Sequence, residues 1–203
     1  MRLERPLEQT TLASGPSKAA DEASLRAEIA RLRRENRALS IALAEMERVA
    51  ERDMLTPLFN RRYFLSALHQ RIARVERFGD SVAVIYVDVD GLKSINDRYG
   101  HAAGDYALVE IAARLAGSVR EADIVARIGG DEFGILLDNL GTSAIKAKIQ
   151  RMSSAIDDEP CVFDGASIAL SAAFGMTMIT PGDSAEDLLG RADAEMYRAK
   201  RRG

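Results

Sequence analysis

From Leu25 to Ala50 the apolar positions recur at alternating spacings of four and three: Leu25, Ile29, Leu32, Asn36, Leu39, Leu43, Met46 and Ala50. This is the seam of a coiled coil, with d and a positions in alternation. Asn36 falls at an a position, where a buried polar side chain favours a two-stranded, in-register, parallel pair. Glu28 at g meets Arg33 at e of the partner helix in that arrangement. A single amphipathic helix packed on its own domain is the alternative. The seam divides the chain into a loose tail over 1–20, rich in Ser, Thr, Pro and charge, a dimeric coiled coil over 21–52, and a globular domain over 53–203.

Composition narrows what that domain does. Hydrophobic residues make up 47% of the 203 and charged residues 29%, so most of the chain can bury a core and a wholly disordered protein is excluded. The net charge of −3 argues against an electrostatically driven nucleic-acid binder. Cys161 stands alone, which rules out an internal disulfide or a multi-cysteine metal site and fits a reducing, cytoplasmic setting. The opening MRLERPLEQTT lacks the apolar core of a secretion signal. The uncharged stretch from Gly165 to Gly182 nears the length of a membrane helix. Its apolar side chains alternate, however, with Ile168, Leu170, Ala172, Phe174, Met176 and Met178 on one face and Ser167, Ser171, Gly175 and Thr177 on the other. That is a strand, and no membrane insertion is expected.

After Arg52, helical spacing at Leu65, Leu68, Ile72 and Val75 ends at Gly79, and the β-branched run Ser81–Val87 follows as a buried strand. A helix is expected over Asp105–Val119. The apolar runs Ile124–Ile128 and Phe133–Leu137, joined through Gly129-Gly130-Asp131-Glu132, make a hairpin. Next come a helix over Ser143–Ile156, the alternating strand, and a last helix opened by Asp183 and Glu186 at capping-box spacing. Strands alternating with helices, plus one hairpin, give an α/β fold in which helices flank a mixed central sheet.

Two acidic clusters stand at strand ends. Asp88 and Asp90 share period-two spacing and so point to one face, where they could converge on a cation; Asp131 and Glu132 sit at the hairpin tip. Taken singly, either cluster is equally well a chain turning into solvent. An EF-hand is excluded because Leu92 occupies the position of a third oxygen ligand.

The string Arg127-Ile128-Gly129-Gly130-Asp131-Glu132-Phe133 resembles the signature of the GGDEF family of diguanylate cyclases. The likeness runs from about Asp53 to Gly203. Asp53-Met54-Leu55-Thr56-Pro57-Leu58-Phe59-Asn60-Arg61-Arg62 is similar to the family's opening segment. Asp88-Val89-Asp90-Gly91-Leu92-Lys93-Ser94-Ile95-Asn96-Asp97, with Gly100-His101-Ala102-Ala103-Gly104-Asp105, is similar to its central one, and Asp193–Lys200 to its closing helix. Gly91 and Leu92 depart from the aromatic residues common there, so the apolar wall under the nucleotide is expected to differ.

The resemblance implies a nucleotidyl-cyclase, palm-like domain that condenses two GTP into cyclic di-GMP, releasing two pyrophosphates, across a homodimer. It implies Mg²⁺ or Mn²⁺ held by Asp88, the Val89 carbonyl, Asp131 and Glu132, with Asp131 accepting the proton of the attacking 3′-hydroxyl and Glu132 completing the acidic patch. Gly129 and Gly130 would leave room for the nucleotide. Asn96, Asp105 and nearby His101 would read guanine, and Lys93 and Lys200 would meet the phosphates. Alone, Asn96 reads equally as a cap and His101 as a surface residue. Arg120-Glu121-Ala122-Asp123 looks like the family's inhibitory product site, with Arg151 or Lys148 as a further cation. A non-catalytic cyclic di-GMP effector is the alternative function, and the segment 1–52 is a candidate docking region for a protein partner.

Overall fold

The computed structural model describes residues 18–201, in two units: a long helix, and an α/β body that begins at Val49. The tail expected over 1–20 lies outside the described residues up to position 17, and helix α1 runs Lys18–Ala50. Leu25 and Leu39 are each 65% exposed, and Ile29, Leu32 and Met46 are exposed beside them, so the stripe read as a seam is bare. The side chain of Leu43 is outside the described residues. Within this helix Glu28 pairs with Arg31 at 2.7 Å, and Arg31 also pairs with Glu35 at 3.0 Å.

The body contains β1 (Phe59–Asn60), α2 (Arg61–Phe78), β2 (Val82–Val89), α3 (Leu92–Tyr99), α4 (His101–Gly117), β3 (Ile124–Arg127), β4 (Glu132–Asp138), α5 (Thr142–Asp157), β5 (Cys161–Phe163), β6 (Ala166–Ile168), β7 (Ala172–Met178) and α6 (Ala185–Lys200). The five-stranded sheet has the order β1-β3-β4-β2-β7; β1 and β3 are parallel and the other neighbours antiparallel. Strand β2 is interior, between β4 and β7, and covered on both faces, which is why its sequence is an almost unbroken apolar run. Ala83, Ile85, Val87 and Val89 pack under α3, α4 and α5, while Val82, Val84 and Tyr86 pack under α2 and α6. The fold is therefore the mixed α/β sheet with flanking helices that the sequence implied.

Local departures have physical causes. The single strand expected within Gly165–Gly182 is two: Asp164 and Gly165, both at positive φ, turn the chain so that β6 pairs with β5 apart from the main sheet. Gly175, expected on the polar face of that strand, is buried because α6 lies against it. A Cβ there would sit 2.1 Å from the Ala192 carbonyl oxygen. The cap of α6 is Ser184, one residue after the expected Asp183; its Oγ accepts from the Asp187 N–H at 3.1 Å and donates to the Asp187 carboxylate at 2.7 Å. Asp183 is engaged by Arg191 and by the Thr180 N–H, each at 2.7 Å, and the Arg191 guanidinium holds its carboxyl well below the usual carboxylate range.

A largely covered ion pair ties α2 to the end of β4. Arg71 of α2 meets Asp138 at the end of β4 through Nε at 2.9 Å and Nη2 at 3.0 Å, with both side chains largely covered. Its Nη2 also donates to the Ala122 carbonyl at 3.4 Å, next to Asp123. Arg71→Met is expected to lower stability by about 3 kcal/mol, because Asp138 is left covered and unpaired. Urea denaturation checks this, and an unchanged midpoint would show the pair to be energetically idle.

Candidate active site

Strands β2 and β4 bring the acidic residues together. In their register Asp88 stands directly opposite Glu132, and beyond the last pair the Val89 N–H donates to the Asp131 carbonyl at 3.0 Å. The two clusters read separately from the sequence thus form one edge, with Asp88, Asp131 and Glu132 all half-buried. Beyond the strand end, the Asp90 N–H is held by the Ser171 carbonyl at 2.9 Å. Lys200, at the last turn of α6, ion-pairs with Asp88 and, at 3.2 Å, with Asp90. These carboxylates, Asp88 foremost, hold the Lys200 ammonium above its ordinary range. Lys200 thus bridges Asp88 and Asp90 at the end of β2.

The hairpin tip is fixed by residues to which sequence reasoning assigned no role. Arg127 donates to the Gly130 carbonyl through Nη2 at 2.6 Å and Nε at 3.2 Å, and reaches Asp53 at 3.4 Å. Asp53 also accepts the Thr56 N–H and hydroxyl, each at 2.8 Å; burial pushes its carboxyl up, but these donors and Arg127 together hold it below its usual value. Arg61 donates to the Ile128 carbonyl at 2.9 Å. The opening segment is thus a brace for the hairpin. The sequence marks this segment by its likeness to the family's opening motif, without giving its residues a role.

Gly129 and Gly130 differ in purpose. A Cβ on Gly129 would fall 2.0 Å from Glu132 Oε2, so this glycine makes room for the Glu132 carboxylate, whereas a Cβ on Gly130 would meet nothing within 4 Å. The Tyr86 phenol, half-buried and beside Glu132, is pushed above its ordinary range, chiefly by desolvation and then by that carboxylate.

Helices α3 and α4 position the residues expected to read guanine. Gly91, in the left-handed region at φ +67, turns the chain from β2 into α3, and Gly100 at φ +87 breaks α3 from α4, a division the sequence reading missed. The departure at Gly91 thus has a backbone reason, and Leu92 packs into the core. A Cβ on Gly104 would fall 1.9 Å from Asn96 Oδ1, so the bare Gly104 backbone lets Asn96 lie against α4 beside Asp105. Asp105, His101 and Lys93 are all exposed.

The proposed product residues lie elsewhere, around a cavity of about 410 Å³ lined by Ser118, Arg120, Lys148 and Arg151, among others. Asp123 is near but buried, and its Oδ2 accepts Lys148 Nζ at 2.6 Å and the Arg120 N–H at 2.9 Å.

Among the described residues no three Asp, Glu, His or Cys side chains gather closely enough to enclose a metal ion. The donors at the β2–β4 edge are hard carboxylate and carbonyl oxygens at an open rim. That set fits Mg²⁺, which binds through one or two carboxylates and takes its remaining ligands from water and substrate phosphate.

An acidic hairpin braced against a mixed sheet, with Lys200 on its carboxylates and Asn96 and Asp105 on adjacent helices, makes up the candidate site of this α/β domain. The family model described as "Diguanylate cyclase, GGDEF domain" matches residues 50–203, and the chain belongs to the GGDEF domain family. It is 39% identical over 160 residues to diguanylate cyclase TpbB of Pseudomonas aeruginosa, spanning 78% of this chain and 37% of that protein. It is 31% identical over 170 residues to diguanylate cyclase A of Treponema denticola, spanning 82% of this chain and 46% of that protein. The chain thus spans less than half the length of these curated relatives. Among solved structures it is similar to the coiled coil and GGDEF domain of DgcB from Caulobacter crescentus in complex with c-di-GMP, with a TM-score of 0.79 and 27% identity, covering 89% of this chain and 96% of that one. It is also similar to diguanylate cyclase SiaD of Pseudomonas aeruginosa in complex with its activator SiaC, with a TM-score of 0.76 and 31% identity, covering 90% of this chain and 71% of that one.

Proposed function

We propose that this chain is a diguanylate cyclase that joins two GTP molecules into cyclic di-GMP, each of two subunits presenting one GTP to the other. The observation that carries this is the register of β2 and β4, which sets Asp88 opposite Glu132 and places Asp131 at the tip of a hairpin braced by Arg127 and Arg61. In each of two condensations the 3′-oxygen of one nucleotide bonds to the α-phosphorus of the other, the bond from that phosphorus to the β-phosphate bridge breaks, and pyrophosphate leaves. Asp131 accepts the proton of the 3′-hydroxyl. Asp88, the Val89 carbonyl and Asp131 would hold Mg²⁺ or Mn²⁺, which when bound neutralises charge developing on the α-phosphate. Glu132, fixed between Gly129 and Tyr86, completes the acidic edge. Lys200 exchanges its carboxylate partners for the β- and γ-phosphates, and Lys93, exposed in the first turn of α3, adds a second positive charge.

Asn96 and Asp105 select the base. A carboxylate accepts from the N1 and N2 hydrogens of guanine, and adenine offers no such pair, so the purified chain should convert GTP and leave ATP unconsumed. Gly104→Ala pushes the Asn96 amide from its place, and KM for GTP should rise about three- to tenfold, the value of one hydrogen bond, with the fold retained. Initial-rate kinetics checks this; an unchanged KM would remove Asn96 from base recognition.

The bare stripe of α1 supports pairing with a second copy, giving a parallel dimer that keeps two catalytic domains close. The Arg120 cavity supports feedback inhibition by the product. GTP as substrate and a lone Cys161 support a cytoplasmic reaction; among the described residues no helix is long and apolar enough to cross a membrane. The relative SiaD is solved with an activator protein, and we assign a similar docking role to the segment 1–52.

A further inference from the structure

The cavity between the end of α4, the turn before β3 and α5 differs from a ready-made guanine site in one respect. Its mouth is cationic, with Arg120 and Arg151 exposed. The carboxylate that would accept from guanine is shut in: the Asp123 side chain is only 4% exposed, and its Oδ2 already takes Lys148 Nζ at 2.6 Å and the Arg120 N–H at 2.9 Å. Lys148 is itself buried, its side chain 8% exposed, and it forms part of the cavity wall. Phosphate needs only the guanidinium groups, which meet it at the mouth. Guanine offers Asp123 two donors, N1–H and N2–H, and Oδ2 already carries two, so full pairing with both carboxylate oxygens must part a desolvated ion pair, leaving a buried charge until the new bond forms.

We infer that Lys148 sets how strongly this cavity reads a base: by occupying Asp123 it makes the site hold cyclic dinucleotides mainly by phosphate, with weak preference for guanine, and so raises the product level needed for feedback. This rests on the product-site assignment made above. Lys148 is a positioning residue here, acting through Asp123.

The test is calorimetric titration of the full chain with cyclic di-GMP and with cyclic di-AMP, which share their phosphates and differ in base. For the unmodified chain the two affinities should lie within about tenfold. Lys148→Met, which keeps the volume and frees the carboxylate, should bind cyclic di-GMP about tenfold or more tightly than the unmodified chain, the value of a paired contact to a base edge, with cyclic di-AMP little changed. Lys148→Arg keeps Asp123 paired and should behave like the unmodified chain, and adding Asp123→Asn to Lys148→Met should erase the gain. Tight, guanine-selective binding by the unmodified chain that Lys148→Met leaves unaltered would overturn the inference alone. Absence of binding by either dinucleotide, in the unmodified chain and in Lys148→Met, would overturn the product-site assignment and this inference with it. Should Lys148→Met not fold, ¹⁵N-lysine-labelled intact protein answers the same question. The Lys148 ammonium resonance, identified by its loss in Lys148→Arg, should change little on saturation with cyclic di-GMP because the ion pair with Asp123 persists, and a saturated complex in which that resonance moves to the position of an unpaired ammonium would overturn the inference.

Discussion

Asp131→Asn should cut cyclic di-GMP formation by about a thousandfold or more while leaving the thermal unfolding midpoint nearly unchanged. The backbone at this position is set by other groups: the Asp131 carbonyl accepts the Val89 N–H, and Arg127 grips the adjacent Gly130 carbonyl. Asparagine keeps the shape and the half-buried environment. What it loses is the basic oxygen that takes the 3′-hydroxyl proton and a negative charge at the metal-binding edge. General-base assistance alone is worth about 10²- to 10⁴-fold, and loss of a hard anionic ligand adds to it. Chromatography of the nucleotide products checks this against a binding assay for GTP. A variant that retains more than a tenth of the rate would show that Asp131 neither accepts the proton nor supports the charge.

The second large effect concerns α1. Leu32→Lys with Leu39→Lys places two charges in a stripe whose described large apolar side chains are exposed. If that stripe joins two copies, the variant separates them, and two GTP-loaded domains must then meet by diffusion. Linked domains see one another at an effective concentration near the millimolar range, so at nanomolar protein the specific activity should fall by at least about a hundredfold and recover as protein is added. Sedimentation should show monomers under the same conditions. Specific activity that is independent of concentration, and equal to that of the unmodified chain, would refute pairing through α1.

How far the sequence carried the fold depended on where each element sits. Strand β2, the β3–β4 hairpin and α4 were legible because the core surrounds them, and burial imposes a period that the residues display. Helix α3 was missed because it is only eight residues long and bounded by Gly91 and Gly100. The pairs Asp53–Arg127, Arg61–Ile128 and Arg71–Asp138 were invisible for another reason. They join positions 74, 67 and 67 residues apart, and only the sheet register brings them together. Lys148 did leave a trace: it interrupts the apolar stripe Ile145, Met152 and Ile156 of α5, where a lysine is tolerated only with a buried partner. The acidic edge itself was readable as two clusters, but their union required knowing that Asp88 faces Glu132. The charge balance has the same character. Residues 1–52 carry 10 basic against 9 acidic side chains and residues 53–203 carry 18 against 22, an acidic excess in the domain assigned a polyanionic substrate. Asp88, Asp131 and Glu132 contribute to that excess where a cation, whether Lys200 or a metal ion, is needed to offset it.

The most direct measurement is turnover by the intact chain, supplied with GTP and Mg²⁺ at a protein concentration where light scattering shows the dimer, with cyclic di-GMP and pyrophosphate both quantified. One cyclic di-GMP for every two pyrophosphates, with none from Asp131→Asn, is the expected result. Saturable binding of cyclic di-GMP without any turnover of GTP would contradict it and identify the chain as a non-catalytic effector.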